Sequence, residues 1–168
     1  MDTRTLRFGY TDTRLGLAIV ALGAQGLAAI LLGDDRNRLH QALAEAFPEA
    51  GLVEDAPATA EAAAKVAALI ENPHAGLDIP LDLRGSPLQL AVWAALRAIP
   101  AGEVRSYGAI AKALPLPATA QEVGAACAAN RLAVAVPCHR VVKADGGIAG
   151  YRWGVQRKRR LINLEAVA

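Results

Sequence analysis

The first third of the chain consists of apolar runs separated by short breaks, a pattern that predicts β-strands. Apolar residues fill positions 17–22 and again 27–32, and the four residues between these runs are Gly-Ala-Gln-Gly. Two apolar runs around a glycine-rich turn are typical of a β-hairpin with buried strands. We expect positions 6–10 to form a further strand ahead of it. The uncharged stretch 15–33 approaches the length of a membrane-spanning helix, but its central glycines favour the hairpin, so we expect no membrane segment.

Helical periodicity replaces this pattern in the following residues. At positions 37–47 two leucines and a phenylalanine recur at helical spacing, which predicts an amphipathic helix with these three side chains inward. Positions 59–70 predict a second helix, rich in alanine, for which Thr59 is the candidate N-cap. The segment Asn-Pro-His-Ala-Gly at 72–76 then breaks the helical pattern, and a proline follows it closely. We therefore expect a linker here between two halves of the chain.

Three further helices are predicted after this linker, each with its own start signal. Ser86 precedes a proline and a glutamine that completes a capping box, and Thr119 is followed by the same arrangement with a glutamate. Ser106 is the N-cap candidate of the helix between them. The two helices that begin at Ser106 and Thr119 are short and flank a tight turn, the last one ending at Asn130. Two such helices in succession predict a helix-turn-helix.

The second helix of this motif is almost bare of side chains. Its middle consists of glycine and alanine, including Gly124, Ala125, Ala128 and Ala129. Such a helix cannot form the arginine–guanine or asparagine–adenine pairs by which proteins read base sequence. It can still pack closely into a groove, so we expect binding that is largely independent of sequence.

Charge divides the chain into two unlike halves. The sequence has 168 residues, enough for one large domain or two small ones. Residues 1–83 contain six lysines and arginines against twelve aspartates and glutamates, whereas residues 84–168 contain twelve against four. An acidic half joined to a basic half indicates that the second half binds a polyanion. A solvated basic surface without a partner is the alternative.

The candidate chemistry lies in the basic half. Cys138, His139 and Arg140 follow one another between two pairs of valines. A neighbouring base or cation raises the thiolate fraction of a cysteine, although a small buried hydrophobic residue is the alternative reading of Cys138. The chain contains one other cysteine and no secretory signal, so we expect reduced thiols and a cytoplasmic protein.

Several short motifs in this half occur in the order and spacing of a known family. The sequence closely resembles the O6-alkylguanine-DNA alkyltransferases, and most of all the C-terminal alkyltransferase domain of the Ada-type adaptive-response proteins. The resemblance is dense from about residue 80 to 165 and one of pattern only before that. The motifs that carry it are residues 93–100, 106–107, 127–130, 137–142 and 150–154.

The resemblance implies an α+β fold with two domains. Residues 1–80 would form a ribonuclease-H-like domain with a small antiparallel β-sheet and helices. Residues 81–168 would form a helical, winged-helix-like domain that contains the helix-turn-helix and the reactive cysteine. Some relatives bind a structural zinc ion through cysteine and histidine in the N-terminal half. Because this chain has no cysteine there, we expect no metal, and the family requires no cofactor.

The implied function is direct-reversal DNA repair. An alkyl group, typically methyl, would pass irreversibly from O6-alkylguanine, or from O4-alkylthymine, to Cys138, once per protein molecule. The partner would be double-stranded DNA, bound through the minor groove by a monomer. The chain could equally be the repair module of a longer adaptive-response regulator. Two other classes compete: a non-catalytic sensor of alkylated DNA, whose members replace the reactive cysteine, and a cysteine hydrolase, which does not need a basic helix-turn-helix.

The resemblance also implies roles for individual residues. His139 would take the proton of the Cys138 thiol through a water molecule, and Glu165 would orient the imidazole. Asn130 would brace the turn that carries the thiol, and Tyr107 would crowd the phosphate of the extruded nucleotide and protonate its base. The residues expected at the guanine pocket are Val141, Ile148, Tyr151, Arg152, Lys158 and Cys127. The residues expected to contact DNA are Tyr107, Thr119, Ala120, Gln121, Gly124, Ala128 and Arg140.

Gln121 departs from the family pattern. Relatives usually have an arginine at this position, and its side chain enters the base stack in place of the extruded base. Glutamine is shorter and neutral. We therefore expect less efficient base extrusion, without an effect on the transfer chemistry itself.

Overall fold

The computed structural model describes residues 4–166 and divides them into two compact units. The first unit extends to Leu83 and also includes Arg131–Ala133, and the second contains the remaining residues. The boundary lies slightly beyond residue 80 because the Asp82 amide donates to the Leu27 carbonyl at 2.8 Å, which holds this segment against the sheet. Arg131–Ala133 joins the first unit for a similar reason, since it pairs with the backbone of Ile30.

The first unit is built on a four-stranded sheet. Its strands are β1 (Thr5–Thr13), β2 (Gly16–Gly23), β3 (Gly26–Gly33) and β4 (Gly51–Glu54), in the spatial order β3-β2-β1-β4. Strands β1, β2 and β3 are antiparallel, and the predicted hairpin is confirmed as β2–β3. The sheet is antiparallel, as predicted, except at one edge, where β4 pairs in parallel with β1. Strand β4 has only four residues, three of them exposed. Its alternation of apolar and polar positions is therefore too short to predict a strand from the sequence.

Two helices pack against this sheet. Helix α1 spans Arg36–Ala46, close to the predicted 37–47. Helix α2 spans Ala56–Glu71 and begins earlier than predicted, because its N-cap is Asp55 and not Thr59. The Asp55 carboxylate accepts from the amide of Ala58 at 3.0 Å and also pairs with Arg7 at 2.7 Å. Thr59 is buried instead, and its hydroxyl donates to the Asp55 carbonyl.

The second unit is mainly helical. Its helices are α3 (Pro87–Arg97), α4 (Tyr107–Ala113), α5 (Ala120–Ala128) and α6 (Val155–Ala166), and two short parallel strands, β5 (Arg105–Ser106) and β6 (Val141–Val142), complete it. Ser86, Ser106 and Thr119 are the N-caps of α3, α4 and α5, as predicted. No helix within residues 4–166 is long and apolar enough to cross a lipid bilayer.

The predicted helix-turn-helix consists of α4 and α5, which pack against each other and against α3. The indole nitrogen of Trp93 in α3 donates to the carbonyl of Ala126 in α5 at 2.9 Å, and both groups are buried. This hydrogen bond links α3 directly to the backbone of α5. The end of α5 then leads into the segment that carries Cys138.

Candidate active site

Cys138 lies in a single turn of 3-10 helix, Cys138–Arg140, directly before β6. Pro137 precedes this turn and cannot donate a backbone hydrogen bond, while the Cys138 amide donates to the carbonyl of Val136 at 2.8 Å. Four residues earlier, Val134 has a φ of 70°, in the left-handed region that a β-branched side chain rarely adopts. Strained backbone of this kind persists only where the surrounding structure holds it, and it is common near active sites.

The thiol opens into a cavity of about 360 Å³, within the usual size range of small-molecule sites. The cavity is bounded by the helix-turn-helix on one side and by the loop before α6 on the other. Its lining consists of Tyr107, Gly124, Cys127, Ala128, Cys138, Gly150, Tyr151 and Arg152. Cys138 is only 4% exposed, so a reagent reaches its sulfur only by entering this cavity.

Asn130 holds the thiol from the end of α5. Its side-chain amide donates both to the Val136 carbonyl at 2.9 Å and to the Cys138 sulfur at 3.4 Å. Asn130 is itself 1% exposed. One buried amide therefore ties the end of the helix to the turn and also contacts the Cys138 sulfur, and the turn is the segment that we expected Asn130 to brace.

The pKa of Cys138 is governed by opposing effects. Burial raises it, because a thiolate loses its hydration in the protein interior, while the hydrogen bond from Asn130 and the positive charges of Lys158 and Arg152 lower it. Burial prevails, so the resting residue is a thiol. We expected a sequence neighbour, His139 or Arg140, to favour the thiolate. The positive charges that lower the pKa of Cys138 come instead from Lys158 and Arg152. Burial also raises the pKa of Cys127, to about 12, so this second thiol is a poor nucleophile.

His139 and Arg140 share the carboxylate of Glu165. The Nε2 atom of His139 lies 2.8 Å from Oε2 of Glu165. The Arg140 guanidinium donates to both carboxylate oxygens at 2.9 Å and to the Ile99 carbonyl at 2.7 Å. All three side chains are buried, and Glu165 reaches them from the end of α6.

This arrangement determines where the imidazole proton lies. The hydrogen bonds from His139 and Arg140 overcome the burial of Glu165 and lower its pKa to about 2, so it is a carboxylate that only accepts. Burial lowers the pKa of His139 in spite of the opposing hydrogen bond from Glu165, so the ring is neutral. Nε2 must then carry the proton, and Nδ1 is an unprotonated base. Nδ1 has no hydrogen-bond partner among residues 4–166.

Arg140 is the one expected DNA contact that needs correction. Its side chain is 10% exposed and its guanidinium is occupied by Glu165 and Ile99. A buried cation without a counter-charge is costly, and Glu165 provides that charge in the interior. The structure therefore gives Arg140 an internal role, that of holding Glu165 ionised.

Lys158 and Tyr107 lie near each other, and each interacts electrostatically with Cys138. The Lys158 ammonium lies 5.9 Å from the centre of the Tyr107 ring and 3.4 Å from the Gly150 carbonyl. Burial lowers the pKa of this lysine, while the two cysteine thiols act to raise it. Burial raises the pKa of Tyr107, with the sulfurs of Cys127 and Cys138 acting in the same direction, so its hydroxyl keeps its proton.

Comparison with known proteins agrees with this geometry. Residues 87–167 match the family model described as the DNA binding domain of 6-O-methylguanine DNA methyltransferase. A methylated-DNA–protein-cysteine methyltransferase of Mycolicibacterium paratuberculosis is 45% identical over 115 residues, 68% of this chain and 70% of the relative. This chain belongs to the same family.

The resemblance extends over both units. The structure of Mycobacterium tuberculosis OGT in complex with DNA aligns with a TM-score of 0.78 and 34% identity, covering 97% of this chain and 93% of that one. The bifunctional transcriptional activator and DNA repair enzyme Ada of Escherichia coli K12 is 44% identical over 98% of this chain, but only over 47% of its own length. The chain thus spans about half the length of Ada.

The other residues predicted for the site fall into two groups. Those expected to contact DNA lie on the outer side of α5: Thr119, Ala120, Gln121 and Ala128 are exposed and Gly124 is half-buried. Of those expected at the guanine pocket, Cys127, Tyr151 and Arg152 line the cavity, whereas its lining does not include Val141, Ile148 or Lys158. Val141 is fully buried in β6.

Two residues of the site were not singled out from the sequence. Gly150 lines the cavity, and the indole of Trp93 donates a hydrogen bond to the backbone of α5. Both stand within motifs that carry the family resemblance, which was the only signal available for them. Neither bears a group that reacts, so residue chemistry could not have found them.

The shared carboxylate generates a prediction about stability and pH. Glu165→Gln leaves the buried Arg140 cation uncompensated and should lower the free energy of unfolding at pH 7 by about 3–5 kcal/mol. Because the pKa of Glu165 is depressed to about 2 from an ordinary 4.5, its stabilisation is complete above pH 4.5 and is lost as the pH falls towards 2. The difference in the free energy of unfolding between wild type and Glu165→Gln should become smaller as the pH falls over that range. Urea unfolding from pH 7 to pH 3 measures it.

The matched control is Glu61→Gln, whose carboxylate pairs with Lys65 on the surface of α2. An exposed pair contributes little, so this variant should stay within about 0.5 kcal/mol of wild type. A loss for Glu165→Gln that is the same at pH 3 and pH 7 would show that the charge of the carboxylate is not what stabilises the site.

Proposed function

We propose that this chain repairs alkylated DNA by moving an alkyl group from O6 of guanine to the sulfur of Cys138. The observation that carries the proposal is the buried thiol itself, held by Asn130 at 3.4 Å at a cavity large enough for one base. A nucleophile that cannot be reached from the surface acts only on a base that has left the helical stack. The family membership of the chain supports the same reaction.

The proton of the thiol has an acceptor close by in the neutral imidazole of His139. Its Nδ1 atom is unprotonated and buried without a protein partner among the described residues, and Glu165 fixes the tautomer by accepting from Nε2 at 2.8 Å. This is the relation of nucleophile, base and orienting carboxylate. We propose that the proton passes from sulfur to Nδ1 through one bridging water molecule.

The transfer itself is a displacement at the alkyl carbon. The new bond joins carbon to the Cys138 sulfur, the bond between carbon and O6 breaks, and the electron pair leaves with guanine as an anion. Tyr107 keeps its hydroxyl proton because its pKa is raised, so it can donate this proton to a ring nitrogen of the departing base. The Lys158 ammonium stabilises the negative charge on sulfur before the attack.

The product explains why each molecule would act only once. An S-alkylcysteine is a thioether and has no leaving group that water could displace under mild conditions. The cavity lining contains no second activated nucleophile, because Cys127 keeps its proton with a pKa of about 12. The reaction is therefore stoichiometric.

We propose that duplex DNA binds as the partner, against α5 and through the minor groove, to a monomer of this chain. The exposed side of α5 has only small residues around Gly124 and Ala128, which permits close approach without reading of bases. The relative from M. tuberculosis has been crystallised with DNA, which supports DNA as the ligand. The surplus of lysine and arginine in residues 84–168 supports phosphate contacts.

The first test concerns the acceptor. Incubation with methylated duplex DNA should add the mass of one methylene group to the peptide that contains Cys138. Cys138→Ser should abolish the transfer while DNA binding persists, because serine retains the size but not the nucleophilicity of the thiol. Peptide mapping by mass spectrometry measures both.

The comparison variant is Cys127→Ser. Because this residue lines the cavity without an activated thiol, the variant should still carry the methyl group on Cys138. Methyl transfer that survives in Cys138→Ser would overturn the proposed mechanism.

The second test concerns the mode of DNA binding. If the affinity comes from phosphate contacts, the logarithm of the association constant should fall by about 0.9 per phosphate neutralised for each tenfold rise in salt. Two undamaged duplexes of different sequence should then bind almost equally at each salt concentration. Fluorescence anisotropy titrations give both results. A strong preference for one sequence would contradict binding by a bare helix.

The third test concerns Gln121, in the first turn of α5 and exposed. A side chain that fills the gap left by an extruded base keeps the base outside the stack. Arginine does this with a longer, planar cation, so Gln121→Arg should speed transfer from duplex DNA by about fivefold, which corresponds to ~1 kcal/mol. Single-turnover rates on duplex DNA measure the effect.

Reaction with free O6-alkylguanine provides the control, because a free base needs no extrusion. Its rate should not change in Gln121→Arg. An equal change with both substrates, or slower transfer from duplex DNA, would show that Gln121 does not occupy the gap.

A further inference from the structure

The C-terminal end of α5 is closed by two side chains from other parts of the second unit. The amide of Asn130 donates to the carbonyl of Cys127 at 3.2 Å, three residues earlier, so the last turn is tighter than the rest of the helix. The Ala126 carbonyl is bonded by the indole of Trp93 at 2.9 Å, and the Asn130 carbonyl by a guanidinium nitrogen of Arg152 at 2.7 Å. Helix ends leave carbonyls without intrahelical donors, and a cation is favoured there.

Both the backbone and the side chain of Asn130 are therefore held by hydrogen bonds. Its carbonyl is bonded by Arg152, and its side-chain amide donates to Val136 and to the Cys138 sulfur. The amide nitrogen lies 3.4 Å from the sulfur, within hydrogen-bonding distance of this large acceptor, and a shift of Asn130 would lengthen that contact. A residue that fixes the backbone of Asn130 limits that shift.

We propose that Arg152 is a positioning residue for alkyl transfer: its guanidinium clamps the Asn130 carbonyl and thereby holds the Asn130 amide against the Cys138 sulfur. The inference rests on the proposed function, since it assigns a role within that reaction. It differs from the guanine contact expected from the sequence, because the clamp acts before any substrate enters.

The surroundings of Arg152 suit this role. Its guanidinium lies 5.7 Å from the centre of the Trp153 ring, which supports it from the side of the loop before α6. Its charge also acts directly on the thiol in the same direction as the Asn130 hydrogen bond. The charged and titratable groups that face Cys138 from the packed elements are Lys158, Arg152, Cys127, Tyr107 and Tyr151.

The test measures the reactivity of the Cys138 thiol without DNA. Wild type and Arg152→Ala are treated with iodoacetamide from pH 6 to pH 10, and modification of the Cys138 peptide is followed by mass spectrometry. Loss of the clamp should move the midpoint of the pH profile upwards and lower the rate at pH 7 by about tenfold, the loss expected for a hydrogen bond to a charged group. Arg159→Ala removes an exposed arginine of α6 and should leave the profile in place.

A second pair of variants separates the clamp from the direct effect of the arginine charge. In an Asn130→Ser background the amide no longer contacts sulfur, so adding Arg152→Ala should change the profile much less than it does in wild type. An undiminished effect in that background would overturn the proposal. If Asn130→Ser does not fold, the side-chain amide signals of Asn130 in NMR spectra decide instead: they should shift in Arg152→Ala, and unchanged signals would overturn the proposal.

Trp93→Phe controls for a merely structural role. It removes the other donor at this helix end, at Ala126, and should lower the melting temperature without moving the pH profile. A profile that moves equally in Trp93→Phe would mean that any loosening of α5 has the same result, and would overturn a specific role of Arg152. Arg152→Lys should restore part of the rate. Because these readouts need no alkylated DNA, they remain decisive even if methyl transfer to Cys138 is not observed.

Discussion

The carboxylate of Glu165 binds two side chains that follow each other in the sequence, and the chemistry of the site depends on that contact. His139 donates to one of its oxygens and Arg140 to both. A carboxylate buried to this extent is unstable as an anion unless it is paired, and Arg140 provides the pairing charge. Glu165 therefore remains ionised, and the imidazole remains neutral with its proton on Nε2 and Nδ1 unprotonated.

The reactive thiol is under the opposite constraint. Burial of Cys138 restricts access to whatever enters the cavity, but it also raises the pKa of the thiol. Asn130, Lys158 and Arg152 offset part of this cost through one hydrogen bond and two positive charges. The residue is therefore a thiol at rest, and the proposed reaction requires that its proton leave.

The local signals in the sequence were reliable where a helix or a turn depends on its nearest neighbours. The caps at Ser86, Ser106 and Thr119 and the hairpin in the first unit are formed by contacts between residues only a few positions apart. Thr59 shows the limit. It has the chemistry of an N-cap, but the Asp55 carboxylate takes that position, since it caps α2 and pairs at the same time with Arg7 on a neighbouring strand.

By itself, the sequence determined the family, the candidate nucleophile and the helix-turn-helix, because motifs and caps are read from residues close together in the chain. Only the tertiary structure decided which way His139 and Arg140 point. The side chain that orients them lies 26 and 25 residues away, on α6. Adjacency to Cys138 suggested a base and a cation beside the thiol, whereas both side chains bind Glu165 and the positive charges that act on the thiol are those of Lys158 and Arg152. Burial and long-range charge, which are properties of the folded chain, produced that difference.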